Sequence, residues 1–263
     1  MSGRRSPFGA LLRYWRGARG MSQLDLAAAA EVSARHISFL ETGRSEPSRD
    51  MVLRLGATIA VPLRDQNALL QAAGYAAVFR EALDPEELPG PIDDALRRMA
   101  DKHEPYPLVV MNRVYDILRL NHGARALFAR AGLMVPARPN ALGLVFDPEG
   151  MRPLVEGWEE VARQALSRVQ RELLQRPGDR ELSALFARLL AYPGVPDDWR
   201  TPDLDQASEP VLAFRLRLDG ELLRFLTTLT VFNAPQNVEV EELCIESYFP
   251  LDEVTERFCA TLR

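Results

Sequence analysis

The spacing of apolar residues over the first eighty positions predicts five short helices with short connections. In "FGALLRYWRGA" the apolar residues Phe8, Leu11, Leu12 and Trp15 form a helical stripe. Serines stand immediately before the next three periodic segments, where helix N-caps are expected: Ser22, Ser33 and Ser48. Gly43 closes the third segment as a C-terminal glycine. The fifth helix falls in "LRDQNALLQAAGY".

A proline-rich, acidic stretch, "LDPEELPGP" at residues 83–91, follows the helical region and is predicted to be a linker. The next segment, "IDDALRRMADKHE", predicts a solvent-facing helix with Ile92, Leu96 and Met99 on its inner face. We therefore expect one domain at residues 1–80, a linker and connecting helix at 81–104, and a second domain at 105–263.

Beyond residue 105 the pattern mixes periods of two and of 3.6 residues. "LVVMN" with "YDILRLN" predicts one hairpin, and "VLAFRLRL" with "ELLRFLTTLTVF" predicts a second around Asp219–Gly220. "VEVEELCIESYFP" predicts a further strand and "LDEVTERFCATL" a closing helix, whereas "YPGVPDDWRTPD" predicts a loop. "NHGARALFARAG" predicts a helix capped by Asn121, and residues 151–192 are predicted to be mostly helical. Strands at both ends with helices between them predict an α+β fold, in which an all-α five-helix domain precedes an α/β domain with an antiparallel sheet.

The charge distribution adds a functional hint to this division. The chain carries a formal net charge of −5. Residues 1–80 hold 11 arginines and 6 acidic residues, a net of +5, whereas the remainder holds 21 basic and 31 acidic residues, a net of −10. A basic module joined to an acidic one suggests that the basic part contacts nucleic acid, although chance asymmetry gives the same count.

The cysteine content and the lengths of the apolar runs predict the cellular compartment of the protein. Cys244 and Cys259 are the two cysteines and form no CxxC or Cys/His cluster, so we expect free thiols in a reducing cytosol and no metal site. No run approaches 18 consecutive apolar residues, and "MSGRRSPFG" has no apolar stretch after its arginines. These features predict a cytoplasmic protein without a membrane partner or a signal peptide.

The segment "SARHISFLETGR" predicts a helix with a chemically unusual outer face. Ile37 and Leu40 point toward the core, whereas Arg35 and Phe39 point away from it. Arginine can fork onto guanine O6 and N7, and an exposed phenylalanine can contact a thymine methyl in the major groove. Gln23 opens the preceding helix, where its amide can reach a phosphate or a base edge. Amphipathic helix pairs and exposed phenylalanines also occur at protein interfaces, so spacing alone leaves both interpretations open.

The stretch "MSQLDLAAAAEVSARHISFLETGRSEPSRDMVLRLGATIAVPLRDQNALLQAAGY" resembles the helix-turn-helix of the phage-repressor-like (Cro/C1, XRE-type) transcription regulators. The resemblance implies double-stranded DNA as a partner and an internal ion pair between Arg16 and Glu41. It departs from the family at Ala30-Glu31-Val32, where the turn between helices 2 and 3 usually carries glycine; a left-handed residue there costs ~1 kcal/mol. The candidate DNA-binding residues are Gln23, Ser33, Ala34, Arg35, His36, Ser38, Phe39, Arg44 and Arg49.

The larger domain offers no convincing catalytic set, so we do not expect an enzyme. Its histidines, His103 and His122, have no cysteine or serine partner in a known motif, and no glycine-rich phosphate loop is present. The strands and histidines are too few for the cupin barrel that some repressor-like regulators carry. Apolar inner faces, including Phe214 and Phe225, fit an ordinary core, and a pocket for an apolar ligand is the sharper hypothesis.

The segments "EPYPLVVMNRVYDILRLNHGARALF", "NALGLVFDPEGMRPLVEGWEEVA" and "ELLRFLTTLTVFNAPQNVEVEELCIESYFP" resemble the ligand-binding domain of the MmyB-like regulators. The resemblance implies a PAS-like domain, a bacterial dimer and a fatty-acid-like ligand, with no other cofactor. Arg113 is the first candidate for holding a ligand carboxylate and His122 the second, because a buried charge needs a partner. The candidate ligand-binding residues are Asn112, Arg113, Asn121, His122, Trp158, Phe214 and Phe225.

Three functions compete at this point. The first is a homodimeric, ligand-responsive regulator that places two recognition helices in half-sites one DNA turn apart. The second is an enzyme with a DNA-binding appendage, which would need a polar catalytic cluster in residues 105–262. The third is an interaction module whose helix-turn-helix face binds protein; its binding would lack the steep salt dependence of a DNA complex.

Overall fold

Two groups of elements form the protein in a computed structural model, which describes residues 6–79, 88, 90–133, 138–176, 179–200, 212–232 and 237–262. By contacts between backbone positions, the described residues 6–79 and 237–241 form one unit, and the other described residues form the second. The predicted linker, residues 83–91, lies mostly outside the described residues. No helix in the described ranges is long and apolar enough to cross a membrane.

The first unit is built on five helices, as the apolar pattern predicts. They are α1 (Pro7–Ala18), α2 (Gln23–Ala29), α3 (Ala34–Thr42), α4 (Arg49–Thr58) and α5 (Leu63–Ala72). Their inward faces share one core that includes Phe8, Leu12, Trp15, Ile37 and Leu40, each at most 4% exposed. Burying these large side chains is the main stabilising contribution, about 1.5–3 kcal/mol for each.

Side-chain caps fix where the helices begin. The hydroxyls of Ser22, Ser33 and Ser48 each accept a backbone N–H of the helix that follows, and Ser22 forms a full capping box with Asp25. Gly43 ends α3 in the left-handed conformation, at φ +74°. Polar residues at helix starts thus satisfy amide groups that would otherwise lack partners.

The turn between α2 and α3 contains the strain that the missing glycine predicts. Glu31 has φ +53°, in the left-handed region that a side chain other than glycine adopts at a cost of ~1 kcal/mol. The backbone N–H of Val32 still donates to Ala27 at 2.9 Å, so the turn closes normally. The departure from the family pattern therefore affects energy rather than geometry.

The second unit contains an antiparallel sheet, which has five strands in the described residues. The strands are β1 (Leu108–Met111), β2 (Ile117–Leu120), β3 (Leu212–Leu218), β4 (Glu221–Val231) and β5 (Cys244–Pro250), in the order β2-β1-β5-β4-β3. The β3–β4 hairpin turns at Asp219 and Gly220, whose φ angles are +52° and +81°. Both residues are left-handed, as the Asp-Gly signal predicts. The α+β fold class is confirmed.

Six helices accompany these strands in the second unit or join them along the chain. Their bounds are α6 (Gly90–His103), α7 (His122–Arg130), α8 (Ala141–Phe146), α9 (Trp158–Gln175), α10 (Arg180–Leu190) and α12 (Glu253–Ala260). The short helix α11 (Val238–Glu242) lies between β4 and β5 along the chain. Asn121 caps α7 by accepting the N–H of Ala124, as its position predicts.

Strand alternation divides the sheet between two apolar clusters. On β1, Val109 and Met111 join the main core, which includes residues of α7, α9 and α10. Leu108 and Val110 instead join a smaller cluster with Leu96 of α6. This two-sided burial follows from the period of two along a strand. It confirms the predicted inner face of α6, to which Ile92 and Met99 also belong.

Two segments differ from their predictions. "VEVEELCIESYFP" was predicted as one strand, but its first half forms α11 because Asn237 caps it: the Val240 N–H donates to Asn237 Oδ1 at 3.3 Å. "YPGVPDDWRTPD" was predicted as a loop, but Asp197–Arg200 forms a 3-10 turn that buries Trp199. A further 3-10 turn lies at Arg152–Leu154.

Candidate functional site

The outer face of α3 carries a compact cationic and aromatic cluster. The Arg35 Cζ lies 5.1 Å from the centroid of the Phe39 ring, and the Arg44 Cζ lies 5.8 Å from the same centroid. Arg35 and Arg44 are exposed, whereas Phe39 is half-buried. Each guanidinium is attracted by the ring, at about 0.5–1 kcal/mol for exposed pairs. The ring therefore restrains two arginines that would otherwise sample many rotamers.

A buried carboxylate fixes α3 against the two helices before it. Glu41 accepts from Arg16 Nε at 2.6 Å and from Gln23 Nε2 at 2.7 Å, and its side chain has no exposed surface. Arg13 Nε adds a weaker contact at 3.4 Å. The Arg16–Glu41 pair that the family resemblance implies is thus present, and Gln23 joins it.

The pKa of Glu41 reflects this network. Burial raises the pKa, but hydrogen bonds from Arg16 and Gln23 and the charges of Arg16 and Arg13 outweigh it, so the pKa lies below its ordinary value of 4.5. The carboxyl is therefore ionised at neutral pH. Glu41 takes one of the two N–H groups of Gln23 Nε2, so the other N–H and the amide oxygen can serve an outside partner.

The other candidate DNA-binding residues have more varied surroundings. Ser33 uses its hydroxyl oxygen to accept the His36 N–H at 3.1 Å, so it serves first as a cap. Ala34 is half-buried and packs against the helical core. Ser38 and His36 are half-buried, and Arg49 is exposed at the first position of α4. The structure thus brings Arg35, Phe39 and Arg44 together and couples Gln23 to α3 through Glu41.

A mostly apolar cavity of about 100 Å³ lies within the second unit. Side chains from β1, α7, α8, α9, β3, β4 and β5 contribute to its wall. The lining residues are Pro107, Val109, Tyr115, Ile117, Ala124, Leu127, Phe128, Ala141, Leu142, Leu144, Val145, Met151, Val161, Ala165, Arg168, Phe214, Thr227, Glu246 and Tyr248. An apolar wall with a few convergent polar groups is typical of small-molecule sites.

Three polar side chains of the wall interact with one another. Glu246 and Tyr248 occupy alternate positions on β5, so they share one face, and their side chains form a hydrogen bond. The Arg168 charge on α9 acts on both groups. Burial raises the pKa of Glu246, and the Arg168 charge and the Tyr248 hydrogen bond oppose that rise without cancelling it. Burial and the neighbouring Glu246 raise the pKa of Tyr248.

A second buried acid lies one helical turn from Arg168. The Tyr115 hydroxyl donates to Glu172 Oε1 at 2.7 Å. Burial raises the pKa of both groups, and the Arg168 charge opposes the rise in each case. Burial, with the nearby Glu246 charge, also raises the pKa of the Cys244 thiol to about 11. The Arg168 charge therefore acts on two carboxyls, those of Glu172 and Glu246.

Of the predicted ligand-binding residues, one lines the apolar cavity in the structure, and the others lie outside its lining. Phe214 lines the cavity. Arg113 does not; its guanidinium pairs with Asp179 and Glu181, and its Nε lies 3.2 Å from Glu242. Three carboxylates already surround this cation, which makes it a cross-link between elements. Its assignment to a ligand carboxylate stays a prediction, and Arg168 is better placed for one.

The remaining predicted ligand-binding residues close a turn, pack in the core or border a second cavity. The Asn112 amide oxygen accepts the N–H groups of Val114 and Asp116, which closes the β1–β2 turn. The Trp158 indole donates to the Val145 carbonyl at 2.8 Å, and Phe225 is fully buried beside Tyr248. Asn121 and His122 border a different cavity, of about 280 Å³, which α6 also lines.

The sequence does not identify the polar residues that line the apolar cavity. Glu246 and Tyr248 follow the same alternation as Cys244, which pointed to a strand but did not show which face is buried. Arg168 lies in a helix rich in charged residues, where one arginine has no distinguishing feature. No pattern in the sequence therefore marks any of the three residues as part of a cavity wall.

A five-helix domain with a cationic face on α3, followed by an α/β domain with an apolar cavity, is consistent with a DNA-binding protein that carries a small-molecule-binding domain. Comparison with known families agrees. Residues 92–262 match the MmyB-like transcription regulator ligand binding domain, and residues 7–70 match a helix-turn-helix domain. The first match covers more than half of the chain, so the chain belongs to the MmyB-like transcription regulators. It is a DNA-binding transcription regulator with a ligand-binding domain.

Comparisons with curated proteins and with solved structures add no evidence about the function. A search of curated proteins gives no match. The solved structure of an RNA-binding light-oxygen-voltage receptor aligns with 98% of this chain at 14% identity and a TM-score of 0.28. The chain spans 62% of that receptor, less than two thirds of its length. A similarity this low carries no argument about fold or function.

Proposed function

We propose that the protein is a homodimeric, sequence-specific regulator whose C-terminal domain is a PAS-like sensor of a small apolar ligand. The observation that carries the DNA half of the proposal is the Arg35–Phe39–Arg44 cluster on a helix anchored by Glu41. With α3 in the major groove, Arg35 is placed for guanine and Phe39 for a thymine methyl. Arg44 and Arg49 supply phosphate contacts.

A dimer follows from the energetics of recognition. One helix-turn-helix buries too little surface for tight specific binding, and two copies reading half-sites one DNA turn apart double the contacts. Selection from a random double-stranded library with the full-length protein tests this. We expect a two-fold symmetric site with half-sites 10–10.5 base pairs apart or multiples of that spacing. An unenriched pool, or binding without salt dependence, would favour a protein-interaction module.

The ligand half of the proposal rests on the cavity. Its wall is mostly apolar, which fits the hydrocarbon part of a fatty-acid-like molecule. The volume of about 100 Å³ is below the ~150 Å³ of an engineered cavity that binds benzene, so a long chain requires the wall side chains to move. A ligand that prefers one arrangement of the wall would shift the population of domain arrangements, and thereby DNA affinity.

Native mass spectrometry of the protein purified from cells tests occupancy. Ala165 lines the cavity, so Ala165→Phe fills part of it, whereas Leu174→Phe alters an exposed position of the same helix. We expect a small molecule to accompany the wild type and Leu174→Phe but not Ala165→Phe. Equal retention by all three proteins would place the ligand elsewhere.

A further inference from the structure

The short helix α11 belongs to the first unit, although the chain reaches it from the sheet of the second. Residues 237–241 group with the described DNA-binding helices by backbone contacts, whereas β4 and β5, which precede and follow α11 along the chain, belong to the second unit. These two strands pair with each other as far as Val231 and Cys244. Two paired strands need only a two-residue turn, so the longer excursion through α11 serves something other than the sheet.

The helix α11 supplies a cap that α5 lacks. The three helices before α5 each begin at a serine whose hydroxyl accepts a backbone N–H, but α5 begins after Pro62, whose side chain has no acceptor. The Leu63 N–H at the start of α5 donates instead to Glu241 Oε2 at 2.9 Å. A carboxylate at this place satisfies an amide group and interacts favourably with the positive end of the helix dipole. The cap of α5 therefore comes from a residue 178 positions further along the chain.

Packing and an ion pair hold α11 in place. Val238 and Val240 are buried, at 0% and 5% exposed. At the end of α11 the Glu242 carboxylate lies 3.2 Å from Arg113 Nε, and both of these residues belong to the second unit. One short helix thus carries two acids at adjacent positions, Glu241 for α5 and Glu242 for Arg113.

The elements on either side of α11 along the chain carry the two functions of the protein. β4 and β5 line the apolar cavity through Thr227, Glu246 and Tyr248. α5 packs against α1 and α4, and the Arg16 guanidinium of α1 donates to the Glu41 carboxylate of α3. Strands of the cavity wall, α11, α5, α1 and α3 are therefore consecutive members of one series of covalent and non-covalent links.

We infer, on the basis of the ligand-dependent regulation proposed above, that α11 couples the cavity to DNA binding by making or releasing the Glu241 cap on α5. A ligand that changes the ends of β4 and β5 changes the position of α11 between them. The occupied and empty forms then differ in the population of capped α5, and DNA binds these two forms with different affinity. By linkage, DNA changes the ligand affinity by the same factor.

The affinity of the full-length protein for the selected DNA site, measured by fluorescence anisotropy with and without octanoate, tests the inference. We expect octanoate to change the wild-type Kd by about five-fold or more, the lower end of typical allosteric coupling. In Glu241→Gln this change should fall below about two-fold, while octanoate binding measured by calorimetry stays within about two-fold of wild type. Glu253→Gln makes the same change at a side chain that is 88% exposed and should keep the wild-type effect.

A second readout follows the cap without any ligand. In full-length protein labelled with ¹⁵N-leucine, the Leu63 amide is identified by its absence in Leu63→Met, and its proton shift reports the hydrogen bond to Glu241. Arg113→Met releases the end of α11 at Glu242 and should move this signal toward its position in Glu241→Gln. Arg130→Met removes an ion pair at the surface of the same unit and should leave the signal in place.

The outcomes separate the inference from the proposed ligand function. An unmoved Leu63 signal in Arg113→Met, or a full octanoate effect in Glu241→Gln, would overturn the inference and leave ligand sensing intact. Octanoate that binds the wild type without changing its DNA affinity would also overturn it. A moved Leu63 signal in a protein that does not bind octanoate would support the coupling and contradict the fatty-acid-like ligand proposed for the cavity.

Discussion

The buried carboxylate of Glu41 provides the sharpest test of how α3 is held against the two helices before it. Glu41→Gln keeps the shape of the side chain but removes the charge that Arg16 and Gln23 share. The Arg16 guanidinium, 15% exposed, would then lie against a neutral amide whose own N–H groups compete for the same space. The variant therefore isolates the ion pair from the packing around it.

The magnitude follows from the burial of the pair. Removing one partner of a buried pair costs about 3–5 kcal/mol because the other charge stays buried. Arg16 is partly exposed and keeps its hydrogen bond to the Met21 carbonyl at 2.5 Å, which points to the lower end, about 3 kcal/mol. For a domain of this size that corresponds to a fall in Tm of roughly 12–24 °C.

Hydrogen exchange of the full-length chain, followed by mass spectrometry, measures the loss of stability in the helices that the ion pair joins. Amides of α1 and α3 should lose protection in Glu41→Gln, and Glu46→Gln provides the same change at an exposed position. Because the folded pKa of Glu41 is lowered, its contribution is fully present above the unfolded value of about 4.3. The difference between wild type and variant should therefore shrink as pH falls through the folded pKa.

Two outcomes would contradict this account. Equal protection in Glu41→Gln and Glu46→Gln at pH 7 would mean that the pair contributes no more than an exposed interaction, at most about 1 kcal/mol. A difference that persists unchanged at low pH would assign the effect to packing instead. The double variant Arg16→Met, Glu41→Met should recover most of the loss, because neither side then leaves a buried charge unpaired.

Three further changes test other parts of the fold. Glu31→Gly relieves the left-handed turn and should raise the unfolding free energy of the helical unit by ~1 kcal/mol in urea titrations; a decrease would contradict the strain. Asn121→Ala removes a side chain that accepts from Leu108 and Ala124 and donates to the Tyr106 carbonyl, and should cost about 3 kcal/mol; a loss below ~1 kcal/mol would contradict its structural role. Burial raises the Cys259 pKa to about 12, so at pH 7 its thiol should react with iodoacetamide far more slowly than in the urea-unfolded chain, as counted by mass spectrometry; equal rates would contradict its burial.

Local features account for most of what the sequence could predict. The caps at Ser22 and Asn121 and the turn at Asp219–Gly220 act over a few residues, so short patterns identify them. The Arg16–Glu41 pair joins α1 to α3, which are not consecutive in the chain, and only the family resemblance pointed to it. These features determine the fold class and the position of the recognition helix.

The cavity depends on packing that no local pattern records. Arg168 and Glu246 line the same cavity because α9 and β5 contribute to one core, although the two residues are far apart in the chain. The sequence favoured Arg113 for a ligand carboxylate, but Asp179, Glu181 and Glu242 surround it in the structure. The choice between two arginines therefore required the tertiary structure.

The central claim is that Arg35 on α3 reads DNA sequence. The most direct test compares Arg35→Ala with Arg54→Ala, an exposed arginine of α4 outside the proposed interface, on the selected site and on scrambled DNA across salt concentrations. Arg35→Ala should weaken binding to the selected site by about 10–100-fold, equivalent to 1–3 kcal/mol, and leave salt-sensitive binding to scrambled DNA nearly unchanged. Arg54→Ala should preserve the preference for the selected site. Equal losses on both DNAs in Arg35→Ala would contradict the account.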